Sequence, residues 1–440
     1  MHPIENRTDQ VLKNLGFSQL NNIQIDTLTS FEIENNIVLV APTGSGKTLA
    51  FLLPILESLT EEKTNQALVI APSRELAIQI EQVFKSMKTI FKVNCCYGGH
   101  TIKIELNNLI DAPQLIIGTP GRIADHIRRG SINSKSIQTI VLDEFDKSLE
   151  LGFEKDITFI IDSLECIKKR ILVSATDNVR IPQYCKMPQY KKLHFSLEKK
   201  NQGELNFHYL QSMNDDKLEV LKELIYKIGH EPTIIFCNHR EAVERIGDLL
   251  QDNGIPAGRF HGALKQEHRE RELIKLRNKS TNVLIASDLA SRGIDIPSIK
   301  NVIHYQLPIN EEAFIHRNGR TARMESNGDA YLILKSDESM PSFAPEAIQI
   351  FEPSKCMDVD LTTSYITLYI NLGKKNKINK VDIVGLFYKK GGLKNDELGK
   401  IEVLDYCAYI AVKRTKSNDL IDRLKHEKIK KQSFFLAVSR

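Results

Sequence analysis

Long apolar runs are absent from this 440-residue chain. None approaches the ~18 residues that a membrane-crossing helix requires. The first residues, Met1-His2-Pro3-Ile4-Glu5-Asn6, lack the apolar stretch of a secretory signal. Cysteine is sparse. The seven present, Cys95, Cys96, Cys166, Cys185, Cys237, Cys356 and Cys407, form no C-x-x-C pair and no zinc-site spacing. This spacing excludes a zinc ribbon, and the thiols fit a reducing compartment. A cytoplasmic monomer with no membrane partner is expected. With 41% hydrophobic residues, a chain of this length buries large cores without crosslinks.

Charge of one sign is also in short supply: the net is only +4. It is unevenly spread, however. Residues 361–440 hold 17 Lys and Arg against 8 Asp and Glu, and the preceding 360 residues are net −5. A mildly acidic body with a basic tail fits a polyanionic partner, although a basic surface that merely aids solubility has the same signature.

What is present is alternation. Buried-strand patterns at Ile37–Val40, Ala67–Ile70, Ile140–Leu142 and Ile171–Val173 are separated by helical patterns such as Leu49–Leu59. Leu76, Ile80, Val83, Phe84 and Met87 repeat with a 3.6-residue period. Such alternation predicts parallel β-α-β units. The pattern restarts after a polar stretch near Leu197–Glu204, with strands expected at Thr233–Cys237, Val283–Ala286, Val302–Tyr305 and Ala330–Leu334. Gly254 suits a helix stop. After a proline-containing linker, the order strand-helix-strand-strand-helix-strand predicts an RRM-like fold. Its strands are expected near Ile366–Leu372, Gly399–Asp405, Ala408–Lys413 and Ser433–Val438, with Ser417 as a helix cap. The expected fold is α/β: two parallel-sheet domains, residues 1–196 and 205–340, a linker at 341–362 and a small α+β domain at 363–440.

Chemistry enters at Ala41-Pro42-Thr43-Gly44-Ser45-Gly46-Lys47-Thr48, between a strand and a helix. Glycines let backbone N–H groups wrap a phosphate at a helix N-terminus. Lys47 can reach the β- and γ-phosphates and Thr48 can ligate Mg²⁺. Asp143-Glu144-Phe145-Asp146 follows another buried strand. Asp143 would hold the metal, and Glu144 would orient and deprotonate the attacking water. ATP and Mg²⁺ are the cofactors this pairing points to.

The motif order resembles that of the DEAD-box RNA helicase family over roughly residues 10–340. That resemblance implies two RecA-like domains that close on ATP and RNA, with RNA-stimulated hydrolysis. Gly16-Phe17 and Ile23-Gln24 resemble the Q motif, with Phe17 stacking on adenine and Gln24 bonding its edge. The family's Pro-Thr is replaced by Leu20-Asn21. Thr43, Gly44, Ser45, Gly46, Lys47, Thr48 and Asp295 would hold the nucleotide. Ser174-Ala175-Thr176 is similar to motif III; Ser174 and Thr176, with Asp146, would couple hydrolysis to strand separation. The resemblance places RNA against Arg74 of Ala71–Leu76, Gly99 of the Gly98-Gly99 pair, Thr119 and Arg122. In the second domain the corresponding positions are Asn238, Gln266, Arg269 and Ser287. Arg320 and Arg323 resemble the arginine fingers of motif VI. Phe145 departs from the family's Ala. It is expected to pack inward as core; the alternative, displacement of Asp146, would slow hydrolysis and leave an ATP-gated RNA clamp. An RNA chaperone acting through the basic domain alone is a further reading.

Residues 363–440 resemble the RNA-binding domain of DbpA-type helicases, through Ile370–Lys375, Asp382–Gly385, Leu398–Ile401, Tyr409–Val412 and Lys428–Lys431. That resemblance implies a hairpin of large-subunit ribosomal RNA as partner and a role on pre-ribosomal particles. Lys374, Lys375 and Lys430 are candidates for phosphate contact. Tyr369, Tyr406 and Tyr409 either stack on bases or belong to the core.

Overall fold

The computed structural model describes residues 7–42, 44–99, 101–175, 181–195, 204–212, 216–288, 299–321, 327–352 and 359–439. The chain divides near residue 201 into two compact units, the second holding both the second α/β domain and the tail.

The first unit is built on one parallel sheet. Its strands are β1 (Asn36–Val40), β2 (Ala67–Ile70), β3 (Val93–Cys96), β4 (Leu115–Gly118), β5 (Thr139–Leu142), β6 (Lys169–Ser174) and β7 (Lys191–His194), in the order β3-β4-β2-β5-β6-β1-β7. The inner strands, such as β2 and β5, read as continuous apolar runs because both faces are covered, whereas the edge strand β7 is largely exposed. Alternate residues serve the two sides. Ile37, Leu39, Val69, Ile117 and Val141 pack against the helices Lys47–Ser58 and Arg74–Ser86. Val38, Val40, Leu68, Ile70 and Leu142 pack on the opposite side with Ile157 and Ile160 of the helix Glu154–Ser163.

The second α/β domain repeats the design. Its strands are β8 (Leu205–Gln211), β9 (Thr233–Phe236), β10 (Ala257–Phe260), β11 (Val283–Ala286), β12 (Asn301–His304), β13 (Gly328–Leu334) and β14 (Gln349–Ile350), in the order β10-β11-β9-β12-β13-β8-β14. Gly254 has φ +73 just beyond the helix Arg240–Asp252, the left-handed stop that its sequence context predicts.

The tail forms β15 (Tyr365–Ile370), β16 (Leu398–Val403), β17 (Ala408–Lys413), a small hairpin of β18 (Lys428–Ile429) and β19 (Gln432–Ser433), and β20 (Leu436–Val438). The main sheet is antiparallel in the order β16-β17-β15-β20, with helices Lys380–Lys389 and Ser417–Leu424. The expected last strand is therefore two pieces, since Gln432-Ser433 turns back on Lys428-Ile429. Ser417 is not the expected cap: it is the first helical residue, and its hydroxyl donates backward to the Arg414 carbonyl at 2.8 Å. Asn379 is a true cap, sharing reciprocal bonds with Asp382.

Register explains where function collects. Val40 pairs with Ser174, Ile70 with Leu142, and Ile70 with Gly118. The turns carrying Lys47, Asp143, Arg74, Thr119 and Ser174 thus leave the sheet at one edge, the carboxyl ends of the strands, where open α/β sheets bind ligands.

Candidate functional site

The phosphate turn is tensioned by glycine. Gly44 and Gly46 have φ +82 and +90, and Gly46 caps the helix Lys47–Ser58. Lys47 Nζ donates to the Ala41 carbonyl. Ser45 Oγ donates to the Pro42 carbonyl at 2.7 Å, and Ala41 N donates to the Ser174 carbonyl at 3.1 Å, fixing the turn to β6. Thr48 sits half-buried in the first helical turn. Thr43 lies outside the described residues.

Asn21 and Gln24 close over this turn. They form a capping box: Asn21 Oδ1 accepts from Gln24 N and Gln24 Oε1 accepts from Asn21 N, both at 3.0 Å. Asn21 Nδ2 also donates to the Ser45 carbonyl at 3.0 Å. A β-carbon at Gly46 would meet Gln24 Nε2 at 2.9 Å, and at φ +90 any side chain there would be strained. At the departure Leu20-Asn21, Asn21 thus both caps the helix and bonds the phosphate turn. The signal for the cap was legible, since Asn followed three residues later by Gln is a capping-box pattern. Phe17, by contrast, is 56% exposed, a ring free to stack on a planar ligand.

Asp143 follows β5 and is 4% exposed. Burial, then the neighbouring Glu144 charge, pushes its pKa up to about 7, against the pull of Lys47. A buried carboxyl so short of positive charge suits a divalent cation, and magnesium takes oxygen ligands while retaining waters. Asp143 and Thr48 therefore fit Mg²⁺. Glu144 is half-buried with φ +47, a strained conformation for a side chain, and its N–H donates to Asp143 Oδ1 at 3.0 Å. Phe145 is 2% exposed and packs in the core with Val40, Ile70 and Leu142. Asp146 and Ser174 are both buried, at 6% and 1% exposure. Thr176 lies outside the described residues.

The candidate RNA positions of the first domain are linked. The Arg74 guanidinium lies against Gly98 and Gly99, which has φ +103. Ser73 caps the helix by accepting from Leu76 N at 3.2 Å. Arg122 pairs with Glu105 at 3.5 Å. That buried carboxylate also bonds His126 Nε2 at 2.6 Å and accepts from Tyr97 N at 2.9 Å. Sequence reading missed Glu105, which has no motif to mark it. Thr119 N donates to the Cys96 carbonyl at 3.0 Å, and the Thr119 hydroxyl makes no cap bond.

In the second domain a different arginine organises the strand ends. Arg317, fully buried, grips Asp288 with two bonds of 2.6 and 3.0 Å. It also donates to Asn238 Oδ1 at 2.7 Å and to the Gln306 carbonyl at 2.8 Å. Asn238 Nδ2 donates to the Leu307 carbonyl at 3.1 Å. Asn238 is thus engaged within its own domain through both ends of its amide. Gln266 begins the helix Gln266–Arg277 and accepts from Arg269 Nη2. Ser287 is half-buried at the end of β11, its N–H on the Phe260 carbonyl at 3.0 Å. Arg320 follows the helix Glu311–Asn318, its N–H on the Arg317 carbonyl at 3.2 Å. Arg323 and Asp295 lie outside the described residues.

The tail gathers lysines at one end. Lys374 and Lys375 are exposed on a turn whose N–H groups donate to the Leu404 and Asp405 carbonyls at 2.8 Å. Lys430 Nζ bonds Asp382 at 2.7 Å and the Lys377 carbonyl at 2.8 Å, tying the β18–β19 hairpin to that turn. Lys377, Lys430 and Lys431 all have positive φ, at +60, +48 and +68.

Comparison with known proteins agrees with this layout. Residues 21–183 match the DEAD/DEAH box helicase model, 216–325 the helicase conserved C-terminal domain, and 367–437 the DbpA RNA binding domain. The chain is 28% identical to the ATP-dependent RNA helicase DbpA of Bacillus subtilis, over 96% of this chain and 95% of that protein. It is 35% identical to a probable ATP-dependent RNA helicase of Methanocaldococcus jannaschii, over 76% of this chain and 91% of that one. Among solved structures, Saccharomyces cerevisiae Dbp5 bound to RNA and ADP BeF3 matches with a TM-score of 0.66 and 28% identity, covering 74% of this chain and 88% of that one. On this likeness, and on the ordered motifs at the strand ends, the chain belongs to the DEAD/DEAH box helicase family and carries a DbpA RNA-binding domain at its carboxyl end.

Proposed function

We propose that this protein is an RNA-stimulated ATPase that locally unwinds or remodels RNA, and that large-subunit ribosomal RNA, during ribosome assembly, is its target. The observation that carries the enzymatic reading is the meeting of Lys47, Asp143 and Glu144 at one sheet edge, where the Lys47 and Glu144 charges both act on the Asp143 carboxyl. Phe17 would take the adenine face and Gln24 its edge. The turn 43–48 would cradle the phosphates. Bound magnesium would neutralise charge on the phosphate oxygens, held by Asp143 and Thr48. Glu144 would accept the proton of the attacking water. Arg320 and Arg323 would be brought to the γ-phosphate by closure of the second domain, an effect worth ~10³–10⁵ in rate for such arginines. RNA lying across Arg74, Gly99, Thr119 and Arg122, and across Gln266, Arg269 and Ser287, would favour that closure. Contacts of this type go to sugar and phosphate and carry little sequence information.

Target preference falls to the tail. Lys374, Lys375 and Lys430 stand on an exposed basic end, and the matched relatives of full length are named DbpA. The packing of Phe145 as core supports turnover over the slow-hydrolysing clamp. The experiment compares ATPase stimulation by large-subunit rRNA and by unrelated RNA, with and without residues 363–440. Preference for the rRNA that disappears with the tail is the expected result. Equal stimulation by both RNAs in the full chain defeats the ribosomal assignment while leaving the ATPase standing.

A further inference from the structure

We propose that the exposed-type face of the tail sheet is a docking surface for the helix Gln266–Arg277 of the second α/β domain, not a platform for bases. RNA gripped by the tail would then act directly on the Gln266–Arg269 turn. The docking stands on geometry alone; its consequence for RNA rests on the function proposed above.

The tail sheet has two faces. Leu368, Ile370, Ile401, Ile410 and Val412 point into the tail's own core with its two helices. Thr367, Tyr369, Tyr409 and Ala411 alternate with them and point the other way. In RRM domains, aromatic side chains on such a face stack on unpaired bases. A stacking platform must be open. Here Thr367 and Ala411 are each 1% exposed and Tyr409 is 7%.

The covering groups belong to the second domain. Asn278, which ends the helix, donates through Nδ2 to Thr367 Oγ1 at 3.1 Å. Ser280 Oγ lies 2.6 Å from the same hydroxyl, and Thr363 Oγ1 donates to the Ser280 carbonyl at 3.2 Å. Arg277 meets both carboxylate oxygens of Glu402, at 2.9 and 3.0 Å. A buried hydroxyl satisfied from across the seam and a two-pronged ion pair fix register as well as attraction. Toward the start of the helix, Glu267, His268 and Arg271 line a groove opposite Tyr369, Tyr409 and Phe435.

The helix is the lever. Its last turn is bolted to the tail, while its first carries Gln266 and Arg269, which bond each other. Twelve helical residues behave as a rigid rod. Tail and second domain therefore move as one body, and the lysine end of the tail is left as its free RNA surface.

The test uses the full-length chain with Thr367→Cys as a reporter, and follows maleimide labelling at residue 367 by mass spectrometry without ATP or RNA. A docked face labels slowly. Arg277→Glu should speed labelling about tenfold, the scale of losing one well-formed partly buried ion pair. Adding Glu402→Arg should bring it back to within about twofold of the starting rate, because the pair is restored with reversed polarity. Labelling at the rate of a free cysteine in the unmodified seam, or an Arg277→Glu effect that Glu402→Arg does not reverse, overturns the proposal. A second arm oxidises the pair Ser280→Cys and Thr367→Cys to a disulfide. Retained RNA-stimulated hydrolysis in the crosslinked chain supports docking as the working state. Loss of stimulation that returns on reduction shows that the seam must open, and overturns it. The labelling arm is blind to ATPase activity, so failure of the seam and failure of the helicase reading are told apart.

Discussion

The guanidinium of Arg74 lies so close to Gly99 that a β-carbon there would come within 2.9 Å of Arg74 Cζ. Gly99 also has φ +103, so an alanine would be strained as well as crowded. Gly99→Ala should displace the arginine and raise the RNA concentration needed for half-maximal ATPase stimulation about tenfold, the scale of one lost charge-assisted contact. Arg74→Ala should do the same without backbone strain. The KM for ATP should change little in either. An unchanged RNA requirement in both variants would remove Arg74 from the RNA path.

Glu144→Gln separates binding from chemistry. The side chain is close in size and keeps an acceptor, so the turn at φ +47 should survive. ATP and RNA affinities should match the parent protein, while turnover falls by about 10²-fold or more, as expected for loss of a general base. Wild-type-like hydrolysis would refute the assignment of Glu144 as base.

Phe145→Ala tests a residue whose identity departs from the family pattern. Its ring is 2% exposed in the core under the sheet edge. Truncation should destabilise the first domain by about 3–5 kcal/mol, the usual range for a buried Phe emptied to Ala. Denaturant unfolding measures this. RNA-stimulated turnover per folded molecule should not rise. A large rise would mean that the ring holds Asp146 back after all.

Much of this was legible in the sequence, for identifiable reasons. Strands such as Val283–Ala286 and Ala408–Lys413 were bounded correctly because burial on both faces or strict alternation leaves a strong pattern. The phosphate turn and the Asp143–Glu144 pair were legible because the chemistry tolerates few alternatives. β3 and β4 were not, since Asn94 interrupts the first and Gly118 limits the second to three apolar residues. Glu105 was invisible because a buried carboxylate gains meaning only from partners distant in sequence, such as His126 and Arg122. Arg317 lies three residues before Arg320, yet only the fold shows that it grips Asp288 and Asn238 within its own domain. The seam between Thr367 and Ser280 joins residues far apart in the chain, and nothing local announces it.

His304 gives a prediction about acid. Its ring is fully buried, stacks on Phe314 at 5.3 Å and bonds Asn318 Oδ1 at 3.0 Å through Nε2. Burial, reinforced by the Arg317 charge, lowers its pKa from 6.5 to about 3. The folded pKa is thus below the unfolded one, so the unfolded chain binds the extra proton between those values. Stability is unaffected well above pH 6.5 and declines as pH falls through 6.5 toward 3. At pH 5 this single group should cost about 2 kcal/mol relative to pH 8. His304→Gln, which keeps a donor for Asn318 and cannot take up a proton, should be less stable than the parent at pH 8 yet lose about 2 kcal/mol less on going to pH 5. Urea unfolding of both proteins at the two pH values measures the difference, with the other histidines common to both. Equal losses would show that His304 is already protonated, or already exposed to water, in the folded domain.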